Sequence, residues 1–164
     1  MLDTEPVDFS AIRRNLHDYL KLDVEKPSLL HTCFLQLAAK LASQERLNLL
    51  KFLPLWDLQH LRAEDYQRHR AEDGKEYPSL AEKVIQQAGK EAAASGDSQD
   101  LNYILPYLDA AIERFPDNVW LKLDKAKGLL GLGRHDDALA FGMAVTKAKA
   151  SEYWAWELLG DIVA

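Results

Sequence analysis

The side chains able to ligate a metal or act as a nucleophile are few: one cysteine, Cys33, and five histidines, His17, His31, His60, His69 and His135. A thiolate–imidazole pair needs both groups on one face, and the two-residue separation of His31 and Cys33 sends them to different faces of a helix. Their expected roles are a histidine at the edge of the core and a buried thiol. The other histidines show no His-x-x-x-His spacing and there is no second cysteine, so no zinc site is signalled. Gly128, Gly131 and Gly133 lack the Lys-Ser/Thr ending of a phosphate loop. Asp136 and Asp137 open a helix, where carboxylates meet the positive end of its dipole. The chain therefore reads as non-enzymatic, with no catalytic residue, no metal and no cofactor.

The balance of the whole chain points the same way. Its 164 residues are 48% apolar, enough to build a sizeable core. Twenty-six carboxylates against 20 Lys and Arg give a net charge of −6, the wrong sign for a dedicated nucleic-acid binder. A single cysteine forms no intrachain disulfide and suits a reducing compartment, so a cytoplasmic location is expected. The start, Met1 to Pro6, lacks the basic and apolar regions of a signal peptide, and no apolar run approaches the roughly 20 residues that span a bilayer.

Along the chain, apolar residues recur at three- and four-residue intervals. Phe9, Ile12, Leu16, Tyr19 and Leu20 predict a helix from Asp8 to about Leu22. Pro27 interrupts, and a second helix from Ser28 carries Leu30, Phe34, Leu37 and Leu41 on one side. A third, from about Arg46, carries Leu49, Leu50, Leu53 and Trp56 and pairs with the second as a hairpin. Residues 63–77 have almost nothing to bury and read as a polar loop and boundary, punctuated by Gly74 and Pro78. Then Ser79 and Glu82 form the Ser-x-x-Glu capping box of a new helix running to about Ser95. Gly96 suits its end, and Ser98 is placed to cap the next helix, which runs to Phe115 with Pro106 inside it. Periodicity without strand signals makes the fold all-α.

Trp120 and Trp154 lie 34 residues apart, and 34 is the period of tetratricopeptide helix pairs. The five-residue step from Ala111 to Pro116, the small residues Ala126 and Ala138, the turn at Gly133, and Trp156, Leu159 and Gly160 resemble that family's pattern. Units then run at about 85–118, 119–152 and 153–164. Lys122 and Lys125, and before them Ala88 and Glu91, stand where the pattern usually has Trp and Leu, so the repeats are degenerate. Residues 1–77 show no such phase. The segments Tyr77 to Val84, Ala111 to Ala126 and Tyr153 to Ile162 further resemble bacterial tetratricopeptide proteins linked to conflict or defence loci. Longer members of that family carry further domains beyond this region. The resemblance implies an α-α superhelix of stacked hairpins over 78–164, with residues 1–77 as an N-terminal helical cap.

In such a stack the first helix of each pair lines a concave wall where peptides bind. Positions 2, 5 and 9 of each unit supply Gln86, Gly89 and Ala93, then Trp120, Leu123 and Lys127, then Trp154, Glu157 and Asp161. The last six are the expected partner-binding residues, set against a purely structural role for the two indoles, packed between neighbouring helices. A clamp for a C-terminal carboxylate is discounted because the matching positions do not supply Asn. The second unit holds six cations against four anions, which reads as a solvated helix surface or a site for an acidic partner. The functional expectation is a scaffold for a protein or peptide partner, with no membrane role. Self-association through the apolar helix at Leu158–Ala164, as a homo-oligomer or as the assembly module of a longer protein, is the alternative, and nucleic-acid association a weaker one.

Overall fold

The computed structural model describes residues 6–164, and among them the fold is all-α: eight helices and one two-residue hairpin of strands. None of these helices is long and apolar enough to cross a membrane. The chain divides into two compact units, the first ending at Glu64 and the second spanning Asp65–Ala164.

The first unit contains α1 (Phe9–Leu20), α2 (Leu29–Ser43) and α3 (Leu49–Trp56). Each starts on a side chain that accepts an orphan amide of the first turn: Asp8 from Ala11, Ser28 from His31 and Asn48 from Lys51. The expected α2–α3 hairpin forms, but α2 buries a different face from the one its leucines suggest. His31, Thr32, Leu35, Ala38, Leu41 and Ala42 point inward, while Leu30 is 55% and Leu37 38% exposed. Polar His31 is drawn in because its hydrogen bonds are met there. The Trp56 carbonyl can only accept, so Nε2 of His31 donates to it at 2.9 Å, and Nδ1 accepts from the Tyr19 hydroxyl at 2.9 Å. The Trp56 indole returns a bond to the His31 carbonyl at 2.8 Å and stacks on the imidazole at 4.1 Å.

The second unit begins before the boundary that the polar stretch suggested. Residues 63–77 are a 3-10 turn (Ala63–Tyr66) followed by antiparallel β1 (His69–Arg70) and β2 (Glu76–Tyr77), with His69 opposite Tyr77. This segment from Asp65 onward belongs with the helices after it, so the division lies at 64/65 rather than 77/78. The reason is Arg68, whose guanidinium reaches Glu82 at 2.7 Å and Asp117 at 2.6 Å.

Helices α4 (Leu80–Ser95), α5 (Ser98–Arg114), α6 (Val119–Gly131), α7 (His135–Ala148) and α8 (Tyr153–Val163) follow. The Ser79–Glu82 capping box is formed in both directions. Asp97, not Ser98, caps α5, accepting from Gln99 and Asp100, and α5 passes through Pro106 unbroken. Helix α4 packs on α5, α6 on both of them, α7 on α6 and α8 on α7. The starts of α6 and α8 are 34 residues apart, those of α4 and α6 39 apart, because α4 and α5 have 16 and 17 residues to the 13 and 14 of α6 and α7 and are joined by a connection one residue shorter. Ala88, Ala111, Ala126 and Ala138 are all buried at helix contacts. Gly133 turns the chain between α6 and α7 at φ +74°. Gly142 admits α8 so closely that an added Cβ would stand 2.5 Å from Ile162 Cδ1.

Candidate protein-interaction face

Asn118 sets the start of α6, accepting from the amides of Trp120 at 3.1 Å and Leu121 at 3.4 Å. This leaves Trp120 on the outer side of the first turn, 43% exposed. The register of α8 brings Trp154 against it: the rings stack with centroids 5.7 Å apart and planes 27° apart. Lys149, at the end of α7, places Nζ 5.2 Å from the Trp120 ring centre, within cation–π range. A second exposed indole, Trp156, donates Nε1–H to the Ala150 carbonyl at 2.8 Å, which fixes the ring beside the α7–α8 turn.

Of the six expected partner-binding residues, the structure joins two, Trp120 and Trp154, by direct ring contact. Lys127, Glu157 and Asp161 are exposed, and among the described residues no hydrogen bond or ion pair engages them. Leu123 is a correction: it is buried in the contact between helices and lines no open surface. Of the three positions read from the preceding unit, Gly89 is buried and Gln86 and Ala93 are half-buried.

Two charged residues behave differently from the solvated surface that the sequence suggests. Lys125 is buried and ion-paired with Asp109 at 2.6 Å, with the Phe141 ring nearby. Asp124 is 7% exposed and its Oδ2 has no hydrogen-bond partner. Burial pushes its carboxyl up to about 7, against the weaker opposing pull of Lys127 and Lys90. Taking one buried lysine and one buried carboxylate out of the count along 119–152 leaves five cations against three anions, so the surplus of two stays at the surface, carried by Lys122, Lys127, Arg134, Lys147 and Lys149.

Sequence reasoning also missed the polar cluster that ties β1 to the helical stack. Arg68 donates from Nε and Nη2 to both Glu82 oxygens, at 3.1 and 2.7 Å, and from Nη1 and Nη2 to both Asp117 oxygens, at 2.6 and 2.9 Å. Glu82 also accepts from the Ser79 amide, the Ser79 hydroxyl and Asn118 Nδ2. Burial works against its charge, but Arg68 and these donors outweigh it and leave Glu82 below the usual carboxylate range. The only advance signal was Glu82 in its capping box.

The residues considered for chemistry do not assemble. His31 is fully buried rather than at the core edge, and Cys33, expected to be buried, is exposed. The reversal follows from the turned face of α2, since inward His31 and Thr32 carry the next residue outward. Asp136 and Asp137 sit in the first turn of α7, and Asp137 pairs with Arg134 at 2.8 Å. Among the described residues no group of three His, Cys, Asp or Glu could hold a metal ion.

The profile of a family described as a domain of unknown function, DUF7017, matches residues 119–164. That span is α6 to α8, and it contains all six expected partner-binding residues. No curated protein and no solved structure matches the chain.

Proposed function

We propose that the second unit is a tetratricopeptide-like, non-catalytic interaction module that presents the Trp120–Trp154 face to a protein partner in the cytoplasm. The observation that carries this reading is the stacked indole pair, which leaves Trp120 43% exposed beneath the Lys149 cation. Exposed apolar residues scattered singly are ordinary, but two indoles in contact under a cation form an aromatic patch, and aromatic residues dominate the energetics of interfaces. Lys127, Glu157 and Asp161 supply an exposed polar rim of mixed charge, which sets register more than affinity. Leu123 takes no part. The sequence resemblance supports a role in a bacterial defence or conflict system.

The test is capture of partners from the source cell by the full chain, compared with Trp120→Ala, Trp154→Ala and Lys127→Glu, each checked for folding by circular dichroism. Loss of the same captured protein in the Trp120→Ala and Trp154→Ala variants supports the reading. Unchanged recovery in all three folded variants places the interface elsewhere.

Self-association is a second reading, favoured by α8 itself, where Tyr153 is 80%, Trp156 55% and Val163 66% exposed. Light scattering over a range of concentrations separates the two, since a strict monomer removes this reading and leaves the first standing.

A further inference from the structure

Apart from the aromatic face of the second unit, the first unit carries a cationic groove of its own. It is an open recess of about 490 Å³ along α1, lined by Ser10, Arg13, Arg14, His17 and Asp18, and closed on one side by Leu47. The spacing of these α1 residues places them in one stripe of the helix. In a chain of net charge −6, two guanidiniums, an imidazole and a hydroxyl converge there against a single carboxylate. That carboxylate, Asp18, has its own counter-ion in Lys21 at 3.9 Å.

We propose that this groove is an anion-binding site whose ligand is the phosphate group of a small phosphorylated molecule. Arg13 is held for the purpose: Nη1 donates to the Arg46 carbonyl at 2.8 Å and Nη2 to Ser10 Oγ at 3.2 Å. The fork is thus fixed in place by a loop 33 residues away in sequence, and an arginine has five N–H donors, so most of its capacity remains. Arg46 in turn lies over the Phe9 ring at 4.3 Å, which anchors the loop to the start of α1. Arg14 and His17 are exposed, and among the described residues no hydrogen bond or ion pair engages either of them. A planar guanidinium suits the paired oxygens of a phosphate, and a pre-oriented one loses less freedom on binding. Leu47 offers an apolar edge for the organic part of the ligand. Asp18 opposes an anion, so the groove as it stands is a moderate rather than a tight site.

The probes are inorganic phosphate, adenosine monophosphate and a short single-stranded RNA, each titrated into the full-length chain and followed by amide chemical shifts in nuclear magnetic resonance spectra. Saturable shifts at Ser10, His17 and Leu47 with phosphate or the mononucleotide are expected, and the two arms tell a bare phosphate site from one that also reads the organic group. Arg14→Ala, whose side chain supports nothing else, should weaken binding by about tenfold, the value of one charge-assisted hydrogen bond. Asp18→Asn should tighten it severalfold, and raising the salt concentration should weaken it. The opposite signs of these two substitutions exclude a nonspecific loss of folding as the cause. Shifts that fail to saturate, or that are indifferent to Arg14→Ala, overturn the proposal. So does binding of the RNA with none of the mononucleotide, which would make the stripe a backbone-tracking surface instead of a phosphate pocket.

Discussion

Gly89 of α4 leaves the space that Asp124 of α6 occupies: a Cβ on Gly89 would lie 3.1 Å from Asp124 Cβ and 3.4 Å from Oδ2. The two helices close over a carboxyl group whose Oδ2 is buried and has no hydrogen-bond partner. An aspartate whose pKa rises on folding holds its proton more tightly in the folded state. Its contribution is then complete below the unfolded value of 3.8 and is lost as pH climbs through about 7.

The second unit should therefore lose stability as pH rises from about 4 to 7 and level off above that. Asp124→Asn, a neutral group of the same shape, should flatten that slope and raise stability at pH 8. Each tenfold change in proton affinity is worth roughly 1.4 kcal/mol, so the gain is on the order of 2–4 kcal/mol. Denaturant titrations at pH 5, 6.5 and 8 measure it, and equal slopes in the two proteins would remove Asp124 as the cause.

In the first unit the dependence runs the other way. Burial holds the His31 imidazole below its ordinary pKa, so this group's contribution is full above 6.5 and is lost as pH falls through the lower folded value. The Tyr19 phenol, pushed up by burial, donates to His31 Nδ1 while the imidazole is neutral, and protonation of Nδ1 removes that acceptor. His31→Ala should destabilise by about 2–4 kcal/mol, through the cavity and the unsatisfied Tyr19 hydroxyl, and should abolish the acid sensitivity below pH 6.5. Hydrogen exchange of α2 amides at pH 5 and 7.5 reads both effects. The same face predicts that Cys33 reacts with a thiol reagent in the folded protein as fast as in the unfolded one. A protected thiol would show that α2 is covered or turned differently.

How much of this was legible depends on how local each determinant is. The Ser79–Glu82 capping box could be read because its hydrogen bonds close within three residues, and the helix starts read at Asp8 and Ser28 coincide with caps of the same local kind. The 34-residue interval likewise brings Trp120 and Trp154 together as ring neighbours. What escaped was polar burial satisfied from afar. His31 turns inward for partners at Tyr19 and Trp56, 12 and 25 residues away, and takes the helix face with it. Arg68 lies in a stretch with little to bury, yet it is fixed by Glu82 and Asp117, 14 and 49 residues on. Hydrophobic periodicity registers neither, because the energy lies in ion pairs and hydrogen bonds rather than in apolar area. Asp124 and Lys125 counted equally as surface charges in the sequence, and only packing separates them.

Arg68 gives the sharpest of these tests. Glu82 is almost fully buried, so Arg68→Ala leaves a carboxylate without its counter-charge and should cost about 2–4 kcal/mol, most of it from Glu82 because Asp117 is largely exposed. Both carboxyls are held below their ordinary values, Asp117 mainly by its hydrogen bonds to Arg68, and Glu82, against the effect of burial, by Arg68 and Ser79. Their contribution is present above the unfolded values of 3.8 and 4.5 and is lost as pH falls below them. The loss in Arg68→Ala should accordingly be large at pH 7 and small at pH 3. Arg68→Lys should recover only part of it, since an ammonium cannot serve two carboxylates through paired donors. A penalty independent of pH would show that Arg68 acts through packing on Phe115, which its guanidinium overlies at 5.0 Å.

At the other end of the stack, Gly142 sets how closely α8 approaches α7. A methyl group there meets Ile162 Cδ1 at 2.5 Å, closer than real contacts allow, so the terminal methyl of buried Ile162 must swing to another rotamer or α8 must move. Gly142→Ala should destabilise by about 1–3 kcal/mol despite the better helix propensity of alanine. Ile162→Val removes the offending methyl at a cost of about 1 kcal/mol on its own. The double variant should then be more stable than the sum of the two losses predicts, the mark of two groups competing for one space. Because the single Thr146 hydroxyl proton is shared between the Gly142 carbonyl one turn back in α7, at 2.8 Å, and the Ala155 carbonyl of α8, at 3.1 Å, a forced displacement of α8 should show as faster hydrogen exchange in α8. Strict additivity in the cycle, with exchange in α8 unchanged, would mean that the helix shifts freely and that its register against α7 is not set by Gly142.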